Sequence, residues 1–407
     1  MKKIIIVITV LILLFPTILM IGCGNKKLKQ AKKQEWITVE TYNDETAKAY
    51  YQPIWYTREV YDETFIFVGE EGSAQLLYVP AEIKYVRDYQ LQATYTEGVD
   101  YKIEGKTITR LKGSSMPYWE IDDYFVTEDK APLLIPAAMH TLEFEFDDNR
   151  YIYYAEGVDI TKNNISISYT TDDKWKGEMI EGQTDKTKKF LDKLKTEGKG
   201  SIMFYGDSIT TGCNASGTTQ GGNINPYTPS FDKLVVNWLE DKYNANITLY
   251  NEAVGGWTTG NGVEGLESKI LSKATDIDMF VVAFGMNDMN TSLNNYNYLI
   301  NKMATRYLEI NPNGVVVLVS TMLPNTQSGW VGNQRYFEEE LIKIADKNDS
   351  IAVARVNYVF TQYEEMGKRT RDYLANNINH PNDFGVRTYA QVILKTIAGD
   401  DFFKERY

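Results

Sequence analysis

The chain has 407 residues, with 43 Lys and Arg against 55 Asp and Glu and a formal net charge of −12. That balance excludes nucleic acid as the main partner, because phosphate binding needs a basic face. Two cysteines (Cys23, Cys213) exclude a disulfide framework and two histidines (His140, His380) exclude a three-histidine metal centre, so each histidine is a candidate for proton transfer near neutral pH.

The first element is a targeting segment. Met1-Lys2-Lys3 is positive, Ile4–Ile21 runs without a charge, and Gly22-Cys23 follows. Leu19-Met20-Ile21-Gly22-Cys23 resembles a bacterial lipobox, with Met20 where that pattern usually has Leu. The resemblance implies a signal peptide over 1–23 and a lipidated Cys23. An uncleaved membrane anchor is the other reading of the apolar run. Both place the remainder outside the cytoplasm, on the extracellular face of a membrane. Residues 24–41 then form a tether, with Lys26, Lys27, Lys29, Lys32 and Lys33 suited to a solvated spacer or to anionic headgroups.

Residues 42–182 read as β-rich. Leu142, Phe144 and Phe146 alternate with Glu143 and Glu145, and Ile165, Ile167 and Tyr169 alternate with Ser166 and Ser168. Such alternation marks strands with one buried face. Further strands are predicted at Thr64–Val68, Gln75–Val79, Ile83–Val86, Lys106–Leu111 and Tyr151–Tyr154, separated by turn residues. Many short strands without a convincing helix point to a β-sandwich of jelly-roll type. No catalytic constellation stands out here. His140 is expected to be structural, and Trp55, Trp119 and Trp175 to be core residues rather than sugar platforms. Residues 183–199 read as a linker helix, with Phe190, Leu191 and Leu194 on one face and Gly198 and Gly200 at its end.

From residue 200 to 407 strands alternate with helices. Ser201–Tyr205, Ile247–Tyr250, Met279–Phe284, Val315–Ser320 and Ile351–Val356 are short unbroken apolar runs, as in buried parallel strands. Phe231, Leu234, Val235, Trp238 and Leu239 follow helical spacing, and so do Leu299, Ile300, Met303 and Tyr307. The pattern predicts an α/β domain with a doubly wound parallel sheet, in which ligands bind beyond the carboxyl ends of the strands. After the first run stands Gly206-Asp207-Ser208-Ile209-Thr210, which offers a hydroxyl at a strand-to-helix turn where helix-start amides favour negative charge. Asn251-Glu252-Ala253-Val254-Gly255-Gly256 follows the second run, and its glycines let the backbone turn an N–H toward a ligand. Gly285-Met286-Asn287-Asp288 follows the third. Asn379-His380-Pro381-Asn382 precedes a last helix bearing Val386, Ala390, Ile393 and Ile397, an arrangement that holds the imidazole at the helix entrance.

Taken in order, Ser208, Gly256, Asn287 and His380 resemble the four blocks of the SGNH (GDSL) hydrolase superfamily, whose fold is flavodoxin-like. The resemblance covers residues 200 to 400 or so. It implies Ser208 as nucleophile and His380 as the base that takes its proton. It also implies an oxyanion hole made by the N–H groups of Ser208 and Gly256 and the side chain of Asn287. The family pattern ends in Asp-x-x-His, but Asn377 stands at the Asp position here. Asn377 or a backbone carbonyl could orient the ring in a Ser–His dyad, a carboxylate such as Asp372 or Asp383 could substitute, or the site could be silent.

A β-domain ahead of such a hydrolase is similar to family 2 carbohydrate esterases, some of which lack the orienting Asp. That similarity implies removal of O-acetyl groups from xylan or glucomannan, with an acetylated polysaccharide and a membrane as partners and no cofactor or metal. Trp257 and Trp330 could stack on a sugar, or pack within their loops. Cys213 is expected to be a small buried residue. A lipase, phospholipase or O-acetyltransferase would keep the site and change the acyl group or acceptor, and a non-catalytic carbohydrate-binding protein would keep only the fold.

Overall fold

The computed structural model describes residues 48–138, 144 and 149–403. The signal segment, Cys23, the lysine tether and His140 lie outside the described residues, as does most of Leu142–Phe146. The N-terminal part is built from eight short strands: β1 (Glu59–Ile66), β2 (Ser73–Gln75), β3 (Pro80–Asp88), β4 (Tyr101–Glu104), β5 (Thr107–Arg110), β6 (Phe125–Val126), β7 (Tyr151–Ile152) and β8 (Asn164–Thr171). All pair antiparallel. β8 lies between β1 and β3, β5 lies between β2 and β4, and β6 pairs with β7. In keeping with the many short strands expected here, the described residues form two three-stranded antiparallel sheets and a ribbon. β4 and β6 lie outside the predicted strands, whereas β5 and β7, equally short, fall within the predicted Lys106–Leu111 and Tyr151–Tyr154. Trp55, Trp119 and Trp175 are all buried, as core residues.

The second part follows the predicted alternation closely. In chain order it has α1 (Thr184–Glu197), β9 (Lys199–Gly206), α2 (Phe231–Tyr243), β10 (Asn246–Asn251), α3 (Thr259–Lys269), β11 (Met279–Ala283), α4 (Leu293–Ile310), β12 (Val315–Val319), α5 (Phe337–Ala345), β13 (Ile351–Ala354), α6 (Val356–Glu365) and α7 (Asp383–Ala398). The sheet is parallel in the order β10-β9-β11-β12-β13, the flavodoxin-like 2-1-3-4-5 order. Alternate strand residues feed two cores, because successive side chains of a strand point to opposite faces. Ile202, Phe204, Val281 and Val317 pack with residues of α1, α2 and α7, whereas Met203, Tyr205, Phe280 and Val316 pack with residues of α3, α4 and α5.

α1 is no spacer between domains. Phe190, Leu191 and Leu194 belong to the first of those cores, and Thr187 Oγ1 donates to Ile397 O at 2.8 Å. The helix is thus a layer of the α/β part, and Gly198 caps it with φ 63°. The β-rich part shares the same core through Val86, Ile108, Ile165 and Tyr169. All described residues fall within one compact unit.

Charged and polar groups fasten the β-rich part to the segment that carries His380. Lys368 Nζ lies 2.7 Å from Glu63 Oε1 with both side chains fully buried, and Arg387 donates to Tyr61 O at 3.1 Å and Asp62 O at 2.8 Å. Thr64 Oγ1 donates to Asp372 O at 2.8 Å, and Arg369 donates to Ser73 O at 2.7 Å.

Candidate active site

Ser208 stands at the carboxyl edge of β9, between β10 and β11, where the strand order reverses. The chain leaves β9 through a run of turns, not through the predicted helix start. Thr211 N–H donates to Asp207 O, Gly212 N–H to Ile209 O and Cys213 N–H to Ser208 O, each at 3.1 Å, and α2 begins only at Phe231. Asp207, next to Ser208 in the chain, is buried and accepts Ile209 N–H at 3.0 Å. Burial pushes its carboxyl up to about 7, against the pull of that N–H and of the His380 charge.

His380 reaches the serine from the opposite side. Its Nε2 lies 2.8 Å from Ser208 Oγ, and both residues are 6 % exposed. The ring precedes α7, whose N-cap is Asn382, with Oδ1 accepting Gly385 N–H at 3.3 Å. The loop before it is folded on itself. Ala375 N–H donates to His380 O at 2.8 Å, and Asn382 N–H to Tyr373 O at 2.9 Å. Asn376 closes the loop from within, its Oδ1 accepting the N–H groups of Ile378, Asn379 and His380 at 3.1, 2.9 and 3.0 Å. The imidazole position is therefore set by backbone hydrogen bonds rather than by side-chain packing alone.

Two oxygens converge on Nδ1 of His380. Asn214 Oδ1 is 2.8 Å away and Glu156 Oε2 is 3.2 Å away. Two acceptors at one ring nitrogen favour the tautomer with the proton on Nδ1, which leaves the Nε2 lone pair facing the serine hydroxyl. Glu156 also accepts Asn376 Nδ2–H at 3.3 Å and the Tyr154 hydroxyl proton. The Glu156 side chain is 41 % exposed; partial desolvation raises its carboxyl, but the hydrogen bonds and charge of His380, with those from Tyr154 and Asn376, outweigh it and hold the net pKa below the ordinary glutamate value.

The structure places Asn377 away from the ring. Its backbone is left-handed (φ 66°), its Nδ2 donates to Tyr153 O at 3.0 Å, and its carbonyl accepts Asn325 Nδ2 at 2.6 Å. The residue three before the histidine thus turns into the β-rich part instead of toward Nδ1. Asp372 and Asp383 are engaged elsewhere too: Asp372 Oδ1 accepts Ile66 N–H at 3.1 Å, and Asp383 Oδ1 accepts Ser216 N–H at 2.9 Å. Sequence reading missed Glu156 and Asn214. Asn214 stands six residues after Ser208, near enough to be examined with its block. Glu156 lies in Tyr154-Ala155-Glu156-Gly157, which carries no motif and is 224 positions from His380.

The remaining candidates stand on the loops that leave the sheet. Val254 N–H donates to Gly206 O at 3.0 Å, tying the exit of β10 to the end of β9. A Cβ on Gly255 would stand 3.8 Å from Ser208 Cβ, and Gly256 follows in a left-handed conformation (φ 78°). The N–H groups of Ser208 and Gly256 have no acceptor among the described residues. Asn287 Nδ2 donates to Trp257 O at 3.0 Å, which fixes the amide and leaves a second N–H for a ligand. Trp330 Nε1 donates to Met286 O at 3.2 Å, and both tryptophans are half-buried. Trp257 also packs edge-on against Tyr205. Cys213 is buried, bonded to Thr211 and Gln220, and burial pushes its thiol up, which suits a packed residue rather than a nucleophile.

Residues 204–388 match the model of the GDSL-like Lipase/Acylhydrolase family. Among solved structures, the chain is similar to a two-domain esterase active on acetylated mannans, crystallised with mannopentaose, at 21 % identity and a TM-score of 0.43. That match covers 55 % of this chain and 55 % of the other. The chain is also similar to Axe2, an acetylxylan esterase from Geobacillus stearothermophilus, at 18 % identity and a TM-score of 0.40, covering 51 % of this chain and 97 % of that one. A third is LAE5, an alpha/beta hydrolase enzyme from the metagenome of Lake Arreo, Spain, at 16 % identity and a TM-score of 0.39, covering 48 % of this chain and 93 % of that one. No curated protein sequence matches the chain. The α/β part that holds Ser208 and His380 is a GDSL-like lipase/acylhydrolase domain, a carboxylic ester hydrolase.

Proposed function

We propose that this protein is a serine esterase that removes O-acetyl groups from polysaccharides of the xylan or glucomannan type. The observation that carries ester hydrolysis is the 2.8 Å contact between Ser208 Oγ and His380 Nε2, with Nδ1 held by two acceptors. Ser208 Oγ attacks the acetyl carbonyl while His380 takes its proton. The oxyanion meets the N–H groups of Ser208 and Gly256 and the Asn287 amide, donors worth about 2.7–4 kcal/mol each in other hydrolases. His380 returns the proton to the departing sugar oxygen and leaves acetyl-Ser208. A water activated by the same ring then releases acetate. Two half-buried tryptophans support a carbohydrate acceptor, Trp257 with its carbonyl bonded to Asn287 and Trp330 bonded to Met286 O, since an aromatic face suits a sugar ring. The reading includes a lipid anchor at Cys23 that holds the enzyme on the extracellular face of a bacterial membrane.

Acetate release from acetylated xylan and glucomannan tests the reading, with Ser208→Ala and Cys23→Ser alongside. The expected outcome is release by the wild type, at least about 10³-fold less from Ser208→Ala, and loss of Cys23→Ser from the membrane fraction. Equal release from Ser208→Ala would overturn the serine mechanism. Hydrolysis of long-chain esters in preference to acetyl esters would replace the polysaccharide by a lipid substrate. Glycan binding with no turnover would leave the non-catalytic reading.

A further inference from the structure

We infer that Glu156, contributed by the β-rich N-terminal part, is the positioning residue of His380 and takes the place that the family's Asp would hold. The inference rests on the serine-esterase reading and adds a residue outside the matched family region. Glu156 Oε2 stands 3.2 Å from Nδ1, and its second oxygen is held by Tyr154 and Asn376. Asn376 is thereby a bridge: one end of its amide binds Glu156 and the other binds the His380 N–H at 3.0 Å.

Both sides of this contact are anchored in one apolar cluster. Ile152 and Ile160 flank Glu156 in sequence, and Ile378 lies two residues before His380. All three are buried in the same cluster. The bond from Asn377 Nδ2 to Tyr153 O adds a polar tie between the two segments. The loop geometry that withdraws Asn377 from the ring is thus the geometry that brings the carboxylate to it.

Asn214 is nearer to Nδ1 at 2.8 Å, but its amide is neutral. It can direct the ring and cannot offset the charge that forms when His380 takes the serine proton. Glu156 can do both. The other titratable groups facing this pair are Tyr154, Cys213 and Asp207. Of these, Asp207 lies next to Ser208 in the chain and makes no hydrogen bond to Nδ1 among the described residues.

Glu156→Gln, Glu156→Asp and Asn214→Ala in the full chain test the inference, using 4-nitrophenyl acetate as probe. Glu156→Gln is expected to lower kcat by about 10²–10⁴-fold with KM little changed. The acid limb of kcat/KM should move to lower pH, because a ring that loses its anion binds its proton less tightly. Glu156→Asp should recover part of kcat and return the limb toward that of the wild type. Asn214→Ala should lower kcat and leave the limb in place. A second readout is independent of turnover: NMR titration of the His380 ring, assigned with His380→Asn. Its titration should move to lower pH in Glu156→Gln. An unmoved limb and an unmoved ring titration in folded Glu156→Gln would overturn the inference. A wild type that cleaves no ester while its ring titration still shifts in Glu156→Gln would sink the esterase reading alone.

Discussion

His380 is held at three points, and each has a different chemical task. Ser208 is its proton donor at Nε2, Asn214 and Glu156 are its acceptors at Nδ1, and Asn376 receives its backbone N–H. Asn377 stands next to this arrangement without joining it. A carboxylate at position 377 would help an imidazolium only from beside the ring, and the observed side chain faces Tyr153 O. Asn377→Asp is therefore expected to give no gain in turnover. It would place a carboxylate, 1 % exposed, against a carbonyl oxygen in place of an amide donor. The expected cost is ~3–5 kcal/mol, as for a buried charge left without its partner. Denaturant unfolding beside kcat measures both. A stable variant with raised kcat would show that this loop turns over in solution.

At the scale of elements, the position of Ser208 depends on how closely β9 and β11 approach. Ala283 is the register partner of Gly206, and the next residues on either strand lead toward Ser208 and Asn287. A Cβ on Gly206 would lie 2.2 Å from Thr210 Oγ1 and 2.3 Å from Ala283 O. The backbone oxygen cannot yield without parting the strands. Gly206→Ala should cost about 1–3 kcal/mol as an overpacking change. It should also lower kcat, because Ser208 sits two residues on. Thermal unfolding with kinetics checks this, and a loss of stability with unchanged kcat would mean that the turn absorbs the shift. The helical elements act at longer range. α7 sets the His380 loop through its N-cap, and α1 closes the face of the sheet opposite α3, α4 and α5.

At the scale of the whole molecule, the β-rich part and the hydrolase part share a core and a buried ion pair, so they are expected to unfold together. Glu63 Oε1 accepts from Lys368 at 2.7 Å and from Leu77 N–H at 3.0 Å, while Tyr169 donates to Oε2 at 2.6 Å. Lys368→Met would strand a carboxylate on β1 and should cost ~3–5 kcal/mol, whereas adding Glu63→Gln should recover most of it. Calorimetry should show one transition in all three proteins. A separate early transition for the β-rich part in Lys368→Met would show that it folds as an independent unit.

Much of this was legible in the residue pattern. The unbroken apolar runs marked five parallel strands because both faces of such strands are buried, and alternation marked the longer antiparallel strands because one face is not. Ser208, Gly256, Asn287 and His380 could be picked out as candidates because each follows a strand or precedes a helix, where local spacing encodes position. The role of α1 as a layer was not, since an amphipathic stretch does not say which surface it covers.

The orienting group of His380 was beyond the sequence for a related reason. Asn377 occupies the expected position, but its left-handed backbone and the pull of Tyr153 O aim it elsewhere. The chain carries 55 acidic residues, and nothing in their local spacing selects Glu156. Residue types and periodicity determined the sheet and singled out Ser208 and His380 as candidates, because those depend on neighbours in the chain. Only the tertiary structure decided which carboxylate meets Nδ1, because that contact is made by packing two segments 224 positions apart against one apolar cluster.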